Sequence, residues 1–358
     1  MRVRGQGSRR TGVLAAALAV AVAVTGCSSD QPAPRAQPTT TPPTTTAPPA
    51  TTAAPKPPPT PAPAKPINPL TGSRRIPTGP VLAVKIDDTG SGRPQIGLEA
   101  ADVVYVEQVE AGATRLVAVF ASRHPARVGP VRSVRRTDPA LLSAYGPAGL
   151  VFSGGAGGPL RSLHRSRLRD LAGSGVYSRT YDGGRRAPYN LVANLGALST
   201  RAPSVARVRD VGFRWSERDP RLAKARHVMR MSAVVGRTRV SFGFEPSTLR
   251  WVRTVGGSRV RTASGAAVRA ANVVVQFCRV TVDRGNVDVL GTPSMYTHTI
   301  GSGTAVVFRN GRAIPGTWKR PTLGAPTRWY DAKGAEIALK PGGAWVLLAA
   351  SGTGVRYG

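Results

Sequence analysis

The sequence predicts an α+β or α/β N-terminal domain, then a β-rich C-terminal domain, both carried on a disordered Pro/Thr-rich tether. Three observations carry this expectation. Residues 67–205 alternate apolar strand-like runs with short helical patterns. Residues 238–358 hold strand-like runs and tight-turn signals without a long helical period. Between residues 32 and 66, fourteen of 35 positions are Pro and nearly all the rest are Thr and Ala. Such a segment buries no core and favours polyproline II.

Residues 1–26 read as a lipoprotein signal peptide. Arg2, Arg4, Arg9 and Arg10 supply a basic start, and residues 13–24 are an apolar core too short to span a bilayer comfortably. The run Val24-Thr25-Gly26-Cys27 resembles the bacterial lipobox. Cys27 is therefore the expected lipidation site, with polar Ser28, Ser29 and Asp30 after it. Ordinary signal cleavage, an uncleaved anchor and twin-arginine export through Arg9-Arg10 are the alternatives. Residues 27–66 follow as the tether, reaching on the order of 100 Å at about 3.1 Å per residue. The expected location is the extracytoplasmic face of the cell membrane, held there by lipid.

Residues 67–358 are long enough for two domains with substantial cores. In the first, residues 81–86, 102–109, 114–120 and 150–152 read as strands. A helical pattern follows over residues 160–171, after the Gly-rich run 153–158. Residues 206–237 read as an irregular connection with one short helix near 221–231. In the second domain, residues 240–244, 249–255, 272–282, 305–314 and 344–348 read as strands. Asn310-Gly311 signals a two-residue hairpin, and residues 331–334 a second turn.

Charge is the dominant global feature. The chain carries +32. Setting aside the four signal arginines and the net two charges of residues 28–66 leaves +26 on residues 67–358. Phospholipid headgroups, anionic wall polymers or an acidic envelope protein are natural partners for such a surface. The alternative is compositional: only seven of the fifty basic residues are Lys, the usage of a GC-rich genome. Nucleic acid is a disfavoured partner, because no Arg–aromatic interleaving marks a binding module. No cofactor is expected. The Gly-rich run lacks a P-loop Gly-Lys-Ser/Thr and does not fit GxGxxG, although a loop entering a helix can present amides to an anion. The four histidines are scattered, so no metal site is expected. Cys278 lies in an apolar run and reads as an inert core thiol.

The candidate site is the stretch 128–138, which places Arg132, Arg135 and Arg136 beside Ser133, Thr137 and Asp138. Gly129-Pro130 breaks the strand pattern, and Asp138-Pro139 reads as a helix N-cap followed by Pro at the first helical position. Forked guanidiniums suit phosphate or carboxylate. Arg115 joins them as a candidate anion-binding residue. Glu107 and Asp138 are the candidate acidic partners. On a strand, Glu107 shares a face with Val103, Tyr105 and Val109, so it needs a partner, and Arg115 is within cross-strand reach of Glu107 or Glu110. A solvated basic loop with a structural Arg–Glu pair is the alternative to a ligand site. Catalytic residues are not identifiable.

These residues together resemble a family. Residues 68–72, 84–88, 93–98, 101–107, 112–115, 128–135 and Asp138, with 186–191 downstream, are similar to the YerB-type bacterial lipoproteins, a two-part domain of unknown function. Tyr189 stands where the family pattern leads one to expect His. In the second half, residues 272–277, 301–303, 308–311, 316–319 and 341–345 carry the same resemblance. It implies a lipid-anchored, exported protein of two portions and brings no catalytic residues with it. Three classes of function stand open. One is a surface lipoprotein whose basic loop binds an anionic envelope component or a protein partner. Another is an envelope phosphate or glycopolymer transferase or hydrolase using arginines plus a carboxylate, similar at the level of fold to LytR-CpsA-Psr phosphotransferases. The third is a scaffold for wall-assembly complexes.

Overall fold

The structure is a computed structural model and describes residues 66–201 and 204–358. The signal peptide, Cys27 and the tether lie outside the described residues. Residues 62–358 form one compact unit.

Strands dominate this unit, and its helices are few and short. The N-terminal portion opens with β1 (Leu82–Asp87), β2 (Val103–Gln108) and β3 (Thr114–Phe120). Helix α1 (Thr137–Leu142), strand β4 (Gly149–Val151), helix α2 (Gly157–His164) and strand β5 (Arg169–Asp170) follow. The helix expected over 160–171 is shorter than its Arg-rich pattern, because residues 169 and 170 leave it to pair in parallel with β4. The helix expected near 221–231 does not form. Pro220–Ala223 is a single 3-10 turn, and Arg226–His227 and Arg230–Val235 are strands.

One eleven-stranded sheet runs through both portions. In order it contains Arg328–Tyr330, Arg312–Arg320, Gly301–Arg309, Asn272–Cys278, Ala344–Ala350, β2, β3, β1, β4 and β5, with Arg226–His227 beside Arg312–Arg320. The join is Ala344–Ala350, which pairs in parallel with Asn272–Cys278 on one side and β2 on the other. Cores on both faces explain the composition of the central strands. All of β1, β3 and Asn272–Cys278 is buried, which near-continuous apolar runs satisfy. On one face, Ile86, Val106, Leu116 and Leu347 pack against Met231, Val240, Phe242 and Trp251 of a six-stranded sheet. Phe242 and Trp345 meet edge to face with centroids 5.5 Å apart. On the other face, Ala83, Tyr105, Val117 and Val346 share a core with Leu141, Leu142 and Tyr145 of the α1 region. Full burial of each such aliphatic side chain contributes about 1.5–3 kcal/mol.

The Asn310-Gly311 hairpin forms as its sequence predicts. Both residues have positive φ, 49° and 64°, the geometry a two-residue turn of the primed type needs. The run expected as one strand over 272–282 is divided after Cys278. Val280–Val287 instead pairs with Pro293–Thr297 as a separate two-stranded ribbon. Cys278 is buried and free, and burial pushes its thiol up to about 12.

Candidate functional site

The α1-facing side of the sheet places Lys85 and Asp87 of β1, Arg115 of β3 and Glu107 of β2 on one surface. Asp87 and Glu107 are both Cα partners of Arg115, and directly opposed residues share a face. Lys85 is wholly buried. Its ammonium donates to Glu107 Oε1 and to Asp138 Oδ1, the latter at 2.7 Å. Burial draws the Lys85 ammonium down to about 8, against the opposing pull of Asp138. Glu107 is thus neutralised by Lys85, and Arg115 reaches Asp87 instead, at 3.4 Å.

Asp138 does not cap α1. The helix begins one residue earlier, at Thr137, and Asp138 Oδ2 accepts from the backbone N–H of Arg135 at 2.6 Å. Its other oxygen is held by Lys85, so the carboxylate ties helix to sheet rather than satisfying the first turn.

The three loop arginines have three different carboxylates. Arg132 Nε lies 3.1 Å from Asp87 Oδ2, its Nη1 donates to the Pro188 carbonyl at 3.0 Å, and its guanidinium covers the Tyr189 ring at 5.1 Å. Arg135 grips Glu110 with two bonds, 2.5 Å and 2.7 Å, a fork-on-carboxylate pairing. Ser294 Oγ donates to the same Glu110 from the C-terminal ribbon at 2.5 Å. Burial alone would raise the Glu110 carboxyl, but Arg135 and Ser294 outweigh it and hold it below the ordinary range. Arg136 Nη1 bonds Asp283 Oδ1 at 2.9 Å.

Asp88 and Arg253 form a second buried pair, one from each portion, at 2.8 Å. Thr114 Oγ1 donates to Asp88 at 2.8 Å, and Arg93 reaches it at 3.2 Å. Burial pulls the Asp88 carboxyl up. Arg253 first, then Arg93 and Thr114, override that and hold it low.

Of the loop arginines, Arg136 is exposed and lines a cleft of about 520 Å³. Its other cationic walls are Arg161 and Arg165 from α2 and its C-terminal end, and Arg284 from the ribbon. No carboxylate lines it. Among the described residues, Arg161, Arg165 and Arg284 have no acidic group within 4.0 Å; Asp283 serves Arg136 alone. Tyr296 closes one side, with Arg136 over its ring at 5.2 Å. The Gly-rich entry to α2 helps build this wall, but its Gly158 amide donates to Asn286 Oδ1 at 3.0 Å.

A larger cleft of about 1190 Å³ includes Arg93, Arg123, Arg127, Arg185 and Arg186. Most of these guanidiniums already have partners. Arg127 pairs with Asp182 at 2.6 Å, Arg123 donates to the Glu99 carbonyl at 2.6 Å, and Arg185 is held by backbone carbonyls including Pro94.

Sequence reasoning found the loop arginines, Glu107 and Asp138, and missed Lys85, Asp88 and Arg253. Lys85 did carry a signal: it is the one cation within the otherwise apolar run 81–86, where a buried charge demands a partner. The convergence of Arg161, Arg165 and Arg284 on Arg136 had no local signal, since it depends on where the ribbon folds back.

The fold and these pairs define a class: a β-rich protein of two portions that share a sheet and are joined by a buried ion pair. The chain belongs to the family described as protein of unknown function (DUF3048), whose N-terminal domain matches residues 70–207 and whose C-terminal domain matches residues 230–346. YerB of Bacillus subtilis (strain 168), named as a candidate lipoprotein, is 39% identical over 80 residues, which is 22% of this chain and 24% of that protein. That match therefore spans about a quarter of the relative's length. The crystal structure of YerB superposes with a TM-score of 0.67 at 19% identity, covering 82% of this chain and all of the other, so the fold is shared. No described helix is long and apolar enough to cross a membrane.

Proposed function

We propose that the protein is a lipid-anchored component of the cell envelope, tethered at Cys27 on the extracytoplasmic face, that binds phosphate-bearing envelope components through the Arg136 cleft. The single observation that carries this is the cleft's charge: four guanidiniums line it and no carboxylate does. Arg161 and Arg165 are four residues apart, a like-charge spacing that costs stability on a helix face by roughly 0.2–0.5 kcal/mol. A bound polyanion offsets that repulsion, and forked donors match phosphate oxygens. The basic-loop expectation is thereby narrowed to Arg136. Arg115 and Arg132 are paired with Asp87, and Arg135 with Glu110. The transferase alternative draws less support, because Arg132 and Arg135 are already engaged with carboxylates and Glu107 is wholly buried.

The test is equilibrium binding of tripolyphosphate to residues 62–358. Replacing Arg161 and Arg165 with Gln removes two charged hydrogen bonds at about 1.5–3 kcal/mol each. Arg259→Gln with Arg261→Gln removes the same charge elsewhere and is the control. Equal losses in both double variants would mean that diffuse charge binds the anion.

A further inference from the structure

The Val280–Val287/Pro293–Thr297 ribbon is fixed along its length. Asp283 is buried and holds Arg136, while Asn286 Oδ1 accepts from Gly158. A Cβ on Gly158 would fall 2.1 Å from Asn286 Oδ1, so a side chain there would displace Asn286 from that contact. Thr297 N donates to Thr137 Oγ1 of α1 at 3.0 Å. The far end is also ordered by its own bonds. Asp288 Oδ1 accepts from the amides of Leu290 and Thr292, both at 2.9 Å.

This braced turn holds apolar side chains in water. Val289 is 101% exposed and Leu290 85%, with Val282 and Val287 about half exposed. None of the turn's hydrogen bonds needs an aliphatic side chain at 289 or 290. Cations share the ribbon with this tip: Arg284 lies on the strand that leads into it and lines the cleft together with Arg161 and Arg165. Leu323, half exposed, lines that cleft as well. An apolar end beside a ring of guanidiniums is the amphiphilic pattern of a surface that meets a bilayer.

We infer that the ribbon is a membrane-contact finger for an anionic phospholipid bilayer. Val289 and Leu290 enter the boundary between headgroups and acyl chains, and the arginines of the cleft take lipid phosphates. The Asp288 carboxylate, the acidic group at the tip, accepts from turn amides, which lowers the cost of bringing it to the headgroup layer. The net positive charge of the chain favours the same approach. The phosphate contacts rest on the cleft reading above, whereas the tip contact is independent of it.

Vesicle co-sedimentation of residues 62–358 tests the finger, with phosphatidylglycerol/phosphatidylcholine vesicles against phosphatidylcholine alone. The tip variant is Val289→Ser with Leu290→Ser; both sites are exposed, so its melting temperature stays at the wild-type value. Wild type partitions onto the anionic vesicles. The tip variant partitions at least about 10-fold less, since two aliphatic side chains leave the bilayer contact, yet binds soluble tripolyphosphate as wild type does. Equal partitioning of tip variant and wild type overturns the finger and leaves the cleft reading standing. Failure of wild type to bind anionic vesicles also overturns it. An Arg161→Gln/Arg165→Gln variant that keeps full affinity for both vesicles and tripolyphosphate removes the cleft reading instead.

Discussion

Asp88 and Arg253 meet at 2.8 Å with side chains at most 1% exposed, although 165 positions separate them in sequence. The pair bonds the N-terminal portion to the C-terminal one where water cannot screen it. Truncating one partner leaves the other charge buried and uncompensated, which costs about 3–5 kcal/mol. Asp88→Ala should therefore lower the denaturation midpoint strongly, as urea unfolding will show.

The same pair sets an acid dependence. The Asp88 carboxyl is held below its unfolded value of 3.8. Its contribution is present above that value and is lost as pH falls through the lower folded one. Unfolding free energy should decline below about pH 4, and Asp88→Asn should flatten that decline. An unchanged acid slope in the variant would assign the loss to other carboxylates.

Lys85 neutralises two buried carboxylates, Glu107 and Asp138. Lys85→Met should destabilise by about 3–5 kcal/mol, because both acids lose their counter-charge. Adding Glu107→Gln should recover part of that loss, since one buried charge then disappears. A double variant no more stable than Lys85→Met would show that Glu107 is not coupled to Lys85.

Arg135 and Arg136 are adjacent but have separate tasks. Arg135→Gln should lower the melting temperature, because Glu110 loses a two-bond partner. Its tripolyphosphate affinity should stay near wild type. Arg136→Gln should weaken binding and also lower the melting temperature, because it leaves the buried Asp283 carboxylate without its partner.

Much of this was legible in the sequence. Asn310-Gly311 identified its hairpin because only a few residue pairs tolerate two consecutive positive φ angles. The strand carrying Glu107 was readable from its apolar, Val-rich run. The partner of Glu107 was not. Arg115 is its neighbour in register but turns to Asp87, and Lys85, two strands away, is the cation that reaches that carboxylate. Asp138-Pro139 looked like a cap by local chemistry, and a tertiary contact with Lys85 claimed the side chain instead. The shared sheet was invisible for a similar reason. Nothing local in Ala344–Ala350 says that β2, more than two hundred residues away, is one of its neighbours.

The most direct measurement of the central claim is a crystal structure of residues 62–358 grown with tripolyphosphate. The anion should sit between Arg136, Arg161, Arg165 and Arg284, with at least two guanidiniums in hydrogen-bonding range. An anion bound instead in the Arg93/Arg185 cleft, or no bound anion at saturating concentration, would contradict it.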